Sequence, residues 1–347
     1  MEEFPESLYP SRKMVSTVNA AFDVFLAQYV NLDPNETKLA RDSRDWLLSQ
    51  IHLFPSKNEK FPRLYSEKDI SFGSFARCTK KRELDDIDMM IALHAEGSCY
   101  NEFTDRIEIY VSDSADRLKA LCYDNTNILS SRKVINKFIS SLNQVPQYEK
   151  AEIKRNMEAA TLNLKSYSWT FDLVPCFFTQ KNWFNKDYYL IPDGQGHWKK
   201  TDPRIDRDRV TEVNQSHNGN ILNVIRLMKY WNRRLTMPSM SSYLIENMIL
   251  DFYSAQIYTK ASEYVDLEVP KVLQYIKDKV FCPVNDPKEI QGDINKLSYE
   301  EQTKISKRAY ADYLKALEAR ELETQDDHKS SIAKWGEIFG SSFPNYT

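Results

Sequence analysis

Asp86 and Asp88 stand two residues apart in Asp86-Ile-Asp-Met-Met-Ile-Ala-Leu, a run that reads as a β-strand. Asp is depleted in strands. A period of two places both carboxylates on one face with Met90 and Ala92, and Ile87, Met89, Ile91 and Leu93 on the other. Two carboxylates held side by side repel unless a cation lies between them. Hard oxygen donors of this kind suit Mg2+, which keeps waters and accepts substrate phosphates; a solvent-facing strand edge is the alternative. Asp172 is a third acid, set between Phe171 and Leu173 in the apolar run YSWTFDLVPCFF (167–178). A carboxylate there is costly unless hydrogen-bonded, paired with an Arg or Lys, or bound to metal. Gly73-Ser74 lies twelve residues before Asp86. Gly lets backbone approach a ligand, and Ser offers a hydroxyl and an N–H to phosphate oxygens. A lone Gly-Ser is a turn in most proteins. Followed at this distance by an Asp-x-Asp strand, and by a later strand with a third acid, it points to metal-assisted chemistry on phosphate.

The elements that must position these residues follow from periodicity. Residues 11–30 read as an amphipathic helix through Met14, Val18, Ala21, Phe22, Phe25, Leu26 and Tyr29, with Ser11 as its cap. A second helix starts at Asp33-Pro34 and runs through Leu39, Trp46, Leu47 and Ile51 to Pro55. Residues 56–69 read as a loop, 114–122 and 130–142 as helices, and 149–154 and 159–165 as paired strands. The 167–178 strand is expected to end at Pro175, and 187–200 to form a hairpin around Asp193-Gly194. From 217 the pattern is helical: 217–234, 241–258, 266–279, 298–323 and 329–338. The change from mixed to helical pattern falls near 203–216, where Arg204, Arg207 and Arg209 alternate with Asp202, Asp206 and Asp208 in what reads as a solvated linker. Trp231 and the aromatics near 183–190 read as core.

Composition narrows the partners. The 347 residues carry 47 Lys and Arg against 50 Asp and Glu, a net charge of -3, which argues against a protein that coats long nucleic acid. Charged residues at 28% and aromatics at 12% fit a packed chain. No apolar run approaches the roughly 18 residues of a membrane span, and MEEFPESLYPSRK lacks the basic start and apolar stretch of a signal peptide. The five cysteines (78, 99, 122, 176, 282) are widely spaced with no CxxC, so neither a disulfide framework nor a zinc site is expected. The five histidines form no cluster, and a His general base is not indicated.

GSFARCTKKRELDDIDMM followed by FDLVP resembles the nucleotidyltransferase fold of the DNA polymerase beta superfamily. IPDGQGHWKKTDP, RVTEVNQSHNG, IRLMKYWNRR and SMSSYLIE resemble, more narrowly, the bacterial cGAS/DncV-like nucleotidyltransferases (CD-NTases), which are similar to animal cyclic GMP-AMP synthase and oligoadenylate synthetase. The resemblance runs in order from about residue 40 to 320. It implies an α+β chain: a polymerase beta-like core, with a mixed sheet flanked by helices, over residues 1–205 with the N-terminal helices, then a helical domain over 206–347. It implies that Asp86, Asp88 and Asp172 hold two Mg2+ ions, with Mn2+ as a substitute. Gly73 and Ser74 would hold the triphosphate, Lys229 would reach it, and Tyr243 would stack on a nucleobase. Ser242 would contact the triphosphate from a helix start, where free N–H groups favour anions.

The implied reaction is template-independent joining of ATP and other NTPs into a cyclic di- or trinucleotide with release of pyrophosphate. One metal activates the acceptor hydroxyl, the other neutralises the leaving group, and attack is in line; Asp172 helps to remove the hydroxyl proton. Family products are second messengers of bacterial antiphage (CBASS) defence that bind a separate effector. The remaining implications are a regulatory protein partner, a bacterial cytoplasmic location, no membrane and no stable nucleic-acid partner.

Other readings stay open. Lys229 also reads as a solvated helix lysine, Ser241 or Ser242 as an N-cap only, and Tyr243 as a core aromatic. The acceptor could be an RNA 3′ end or a small molecule, or the chain a non-catalytic nucleotide-binding relative, against which the retained acids, Gly73-Ser74 and Lys229 argue. Thr79-Lys80-Lys81 departs from the family pattern of a small or branched residue and Ile after the Thr, adding positive charge near the phosphate loop with no role assigned. The C-terminal FPNYT lacks the small last residue that some relatives present to a conjugating enzyme.

Overall fold

The computed structural model describes residues 15–347. In chain order the elements are α1 (Val18–Phe25), extended by a π-helical turn (Leu26–Val30), α2 (Pro34–His52), α3 (Phe54–Lys57), β1 (Ile70–Phe72), α4 (Gly73–Ala76), β2 (Asp86–Ala92), β3 (Cys99–Glu102), β4 (Ile107–Tyr110), α5 (Asp116–Lys119) and α6 (Ser131–Leu142). They continue with β5 (Glu152–Asn156), β6 (Ala159–Asn163), β7 (Thr170–Phe178), β8 (Tyr189–Pro192), β9 (Trp198–Thr201), α7 (Pro203–Ser216), α8 (Ile221–Asn232), α9 (Ser242–Ser254), α10 (Val265–Lys279), α11 (Tyr299–Thr324) and α12 (His328–Phe339). The chain folds as two compact units. One holds residues 34–211 and 286–292; the other holds 15–33, 212–285 and 293–347.

In the first unit one mixed sheet runs β1-β2-β7-β8-β9-β4-β3, with the β5–β6 hairpin attached to β7. β2 and β7 are parallel and in register from Asp86 opposite Thr170 to Ala92 opposite Cys176; the other pairings are antiparallel. Beyond its first residues β2 is apolar on both faces, as a covered central strand must be, and Ile87, Met89, Met90, Ile91 and Ala92 are buried. Met90, Ala92, Val174, Cys176 and Tyr189 form a core cluster with Ile70 and Phe72 packed against it. The face that carries Asp86 and Asp88 therefore turns into core within two residues, which fixes β2 in register. α6 is capped by Ser130, whose side chain accepts from Lys133 N, and buries Val134, Ile135, Phe138 and Leu142.

In the second unit α1 is amphipathic. Phe22 and Phe25 pack on Phe339 and Phe343, and Phe22 also meets Trp335 edge-on at 5.0 Å. These contacts join the N-terminal helix to the C-terminal helices, so the linear division at 205/206 does not follow the packing. α11 opens with a capping box between Ser298 and Glu301. Trp231 is buried and donates to Asp312 at 2.8 Å.

Several expectations change. The helix expected over 11–30 is described from Val18, capped by Thr17, whose side chain accepts from Ala20 N; Ser11 and Met14 lie outside the described residues. The 114–122 helix shrinks to Asp116–Lys119, and the β3–β4 hairpin was not read from the sequence at all. Pro175 does not end its strand, which runs to Phe178. On that edge β6 pairs with 170–173 and β8 with 177–178, so the missing N–H of Pro175 falls where no ladder bond is needed. The stretch 203–216 is helix, not linker. Arg204 bonds Asp187 and Asp202, each at 2.7 Å, and lies over the rings of Phe178 and Tyr189. Tyr189 is core as read, but Trp183 and Phe184 are exposed.

Candidate active site

The parallel register sets Asp88 directly opposite Asp172, with Asp86 one pleat earlier on the same face. Three carboxylates thus meet at the N-terminal ends of two adjacent strands. β6 adds Thr161 opposite Asp172, and its buried hydroxyl donates to Asp172 Oδ1 at 2.6 Å. This bond orients Asp172. Sequence reading missed Thr161, because the register of the β5–β6 hairpin on β7 cannot be seen in the sequence.

From the other side, β1 pairs Phe72 with Asp88, and the chain then turns at Gly73. Gly73 has φ +73, and a methyl group built on it would overlap the Asp88 carboxylate. Only a residue without Cβ lets the loop sit against the acid. Beyond the single turn of α4, Ser74 O accepts the N–H groups of Thr79 and Lys80, each at 3.0 Å. Lys80 then reaches back with its ammonium to Asp85 and Asp86. Lys80 thus ties the loop to the carboxylate strand.

The electrostatics show unmet demand for positive charge. The Asp88 carboxyl is pushed up to about 7, first by burial and then by the charges of Asp86 and Asp172; Lys80 and Arg77 oppose this without cancelling it. Asp86 is also raised, by burial and by the hydrogen bond its protonated form donates to Asp85, with Lys80 pulling it down. Burial pulls the Lys80 ammonium down, but its bonds to Asp85 and Asp86 outweigh that and leave it above its ordinary value. All-oxygen donors that repel one another in a low-dielectric setting fit a hard divalent cation. Among the described residues no three His, Cys, Asp or Glu side chains are grouped as a ready-made ion site, and Asp86 Oδ1 is held by Lys80.

The remaining candidates lie in the helical unit. Ser241 is the N-cap of α9, its side chain accepting from Leu244 N at 3.1 Å, and Ser242 is the first residue of the helix. Ser242 is exposed and Tyr243 half-buried, so Tyr243 is not a core aromatic. Lys229 is not a solvated helix lysine: it is 3% exposed and paired with Glu246, itself 1% exposed. Breaking a buried pair strands a charge. Glu246→Gln is therefore expected to cost the helical unit about 3 kcal/mol, and Lys229→Met with Glu246→Leu together much less. Urea unfolding followed by far-ultraviolet circular dichroism checks this; equal losses in the single and double variants would refute it.

The chain is 45% identical over 334 residues to the probable cyclic nucleotide synthase of Bacillus cereus strain VD146, spanning 96% of this chain and 99% of that protein. In structure it is similar to CdnC of E. coli MS115-1 with ATP, at a TM-score of 0.67 and 15% identity over 94% of this chain and 99% of that one. CdnC is also similar to this chain in its complex with HORMA-deltaN, at a TM-score of 0.66 and 16% identity over 94% of this chain and 98% of that one. A third similar structure is the DncV cyclic AMP-GMP synthase of Vibrio cholerae, at a TM-score of 0.57 and 13% identity over 80% of this chain and 70% of that one. No family model matches the chain. The structural likenesses carry the fold, a mixed sheet with helices followed by C-terminal helices, and identity of this extent along nearly the full length carries more: the chain belongs to the cyclic nucleotide synthases, the CD-NTase nucleotidyltransferases.

Proposed function

We propose that this cyclic nucleotide synthase joins ATP and other NTPs, without a template, into a cyclic di- or trinucleotide with release of pyrophosphate. The observation that supports the site assignment is the row formed by Gly73, Asp88 and Asp172, in which the turn touches one acid and the register supplies the next. Asp86, Asp88 and Asp172 would hold divalent metal, Mg2+ or Mn2+, which when bound lowers the pKa of an acceptor hydroxyl and neutralises the leaving pyrophosphate. Gly73 and Ser74 would hold the triphosphate through backbone N–H groups and the Ser74 hydroxyl. Asp172, oriented by Thr161, would also take the proton of the attacking hydroxyl. Ser242 would contact the triphosphate and Tyr243 would stack on a base; Lys229 would reach the triphosphate only by leaving Glu246, its buried partner.

Among the described residues no helix is long and apolar enough to cross a membrane, and we place the enzyme in the bacterial cytoplasm. The complex of the similar CdnC with HORMA-deltaN supports a regulatory protein partner here too. A separate effector would read the product in antiphage defence.

The test is incubation of purified protein with the four NTPs and Mg2+ or Mn2+, alone and with lysate of phage-infected cells, followed by phosphatase treatment and mass spectrometry. Phosphatase-resistant cyclic products are expected. Linear tails on added RNA, or modified small acceptors in place of cyclic products, would overturn the reading.

A further inference from the structure

Lys80 is a cation to which the proposed reaction assigns no role, and its contacts are specific. Its ammonium is largely buried, with 12% of the side chain exposed, and bridges Asp85 and Asp86. Its own N–H is fixed to Ser74 O at 3.0 Å, as is that of Thr79. The ammonium therefore engages an oxygen of one of the three acids assigned to metal, while the backbone of the same residue is anchored to the loop assigned to phosphate.

We propose that Lys80 is a resident counter-cation that competes with divalent metal for Asp86, so that an ion site closes only when Lys80 releases that carboxylate. The proposal rests on the assignment of Asp86, Asp88 and Asp172 as metal ligands. Its physical basis is that one carboxylate oxygen cannot serve a tightly paired ammonium and a divalent ion at full strength. The positive charge also opposes an incoming cation at short range, where a low dielectric makes like-charge interactions large. The attachment to Ser74 gives the release a natural trigger. Phosphate oxygens at the Gly73-Ser74 loop offer the ammonium a second anionic partner, so nucleotide and metal binding are coupled through one side chain. Metal alone then meets a guarded site, and metal with nucleotide an open one. Lys80 is thus a positioning residue, acting on the reaction through Asp86.

The test is direct Mn2+ binding to the full-length protein without nucleotide, read from the electron paramagnetic resonance signal of free Mn2+. Lys80→Met is expected to bind Mn2+ about tenfold more tightly than wild type, and Lys80→Arg, which keeps the charge, within about twofold of it. In EDTA, Lys80→Met should melt below wild type, because Asp85 and Asp86 lose their partner, and Mn2+ should raise its melting temperature more than that of wild type. Unchanged or weaker Mn2+ binding by Lys80→Met, or tightening of the same size in Lys80→Arg, overturns the proposal. The underlying assignment is checked in the same titration with Asp88→Asn/Asp172→Asn. If that variant still binds Mn2+ as wild type does, the metal-ligand reading fails, whatever Lys80→Met does.

Discussion

Asp88→Asn should lower the rate of nucleotide joining by about a thousandfold or more, equivalent to roughly 4 kcal/mol of barrier, and at the same time stabilise the metal-free protein at neutral pH. The two effects have one cause. Asp88 lies between Asp86 on its own strand and Asp172 on the next, and its carboxyl is pushed up to about 7 by burial and then by those two charges. An acid whose folded pKa lies above its unfolded value holds its proton more tightly in the folded chain. The associated stability is complete below about pH 4 and is lost as pH rises through about 7. Holding the Asp88 proton at about 7 rather than near the ordinary carboxylate value corresponds to at most about 4 kcal/mol, spread over a group of interacting carboxylates. In EDTA, wild type should therefore melt lower at pH 8 than at pH 6, and Asp88→Asn should flatten that slope and melt higher at pH 8. Mg2+ should raise the melting temperature of wild type and leave the variant nearly unchanged. An equal rise in both proteins would remove Asp88 from the metal site, and retained turnover would remove it from the reaction.

That Asp86 and Asp88 share a face was legible because strand alternation acts at short range; that Asp172 lies beside them was implied only by the family resemblance, because it depends on the register of β7 on β2. A period of two puts Asp86 and Asp88 on one face, and the apolar run around Asp172 marks an expensive position that only a specific partner would justify. What completes the site is set by register between strands distant in sequence. Thr161 looks like any strand threonine until β6 is laid against β7, and the tie from Lys80 to Asp86 depends on a loop whose course is fixed by Ser74 O. The same limit applies to the fold. Long amphipathic helices such as α9, α10 and α11 carry enough repeats for their period to show. β3 and β4 are four residues each, too short for alternation to stand out from charged turns. Pro175 misled because a proline is judged by its own strand, whereas its tolerance depends on which neighbours pair beside it. The Arg204 region misled because alternating charges look solvated, when Asp187 and Asp202 in fact hold the arginine against Phe178 and Tyr189.

Gly73→Ala should reduce turnover by more than about a hundredfold, close to 3 kcal/mol in the barrier, although the change adds a single methyl group at a position that holds no metal ligand. Two costs act there. The backbone is at φ +73, and the left-handed conformation costs a residue with Cβ about 1–2 kcal/mol. The added Cβ also overlaps Asp88 Oδ2, so either the Gly73-Ser74 turn lifts away from β2 or the Asp88 carboxylate rotates off its position opposite Asp172. Both movements separate the groups assigned to phosphate from those assigned to metal. A protein chosen for positioning charge in line with phosphoryl transfer has little tolerance for such a shift. Gly219 supplies the control, because it has φ +85 and nothing within 4 Å of its added Cβ. Gly219→Ala carries the backbone cost without the collision, and should lower the melting temperature modestly while leaving turnover and Mn2+ affinity unchanged. Gly73→Ala should weaken Mn2+ binding as well as turnover, because the displaced group is a carboxylate and not merely a loop. If Gly73→Ala lost only the stability that Gly219→Ala loses, with turnover intact, the close approach of this turn to Asp88 would have no part in catalysis.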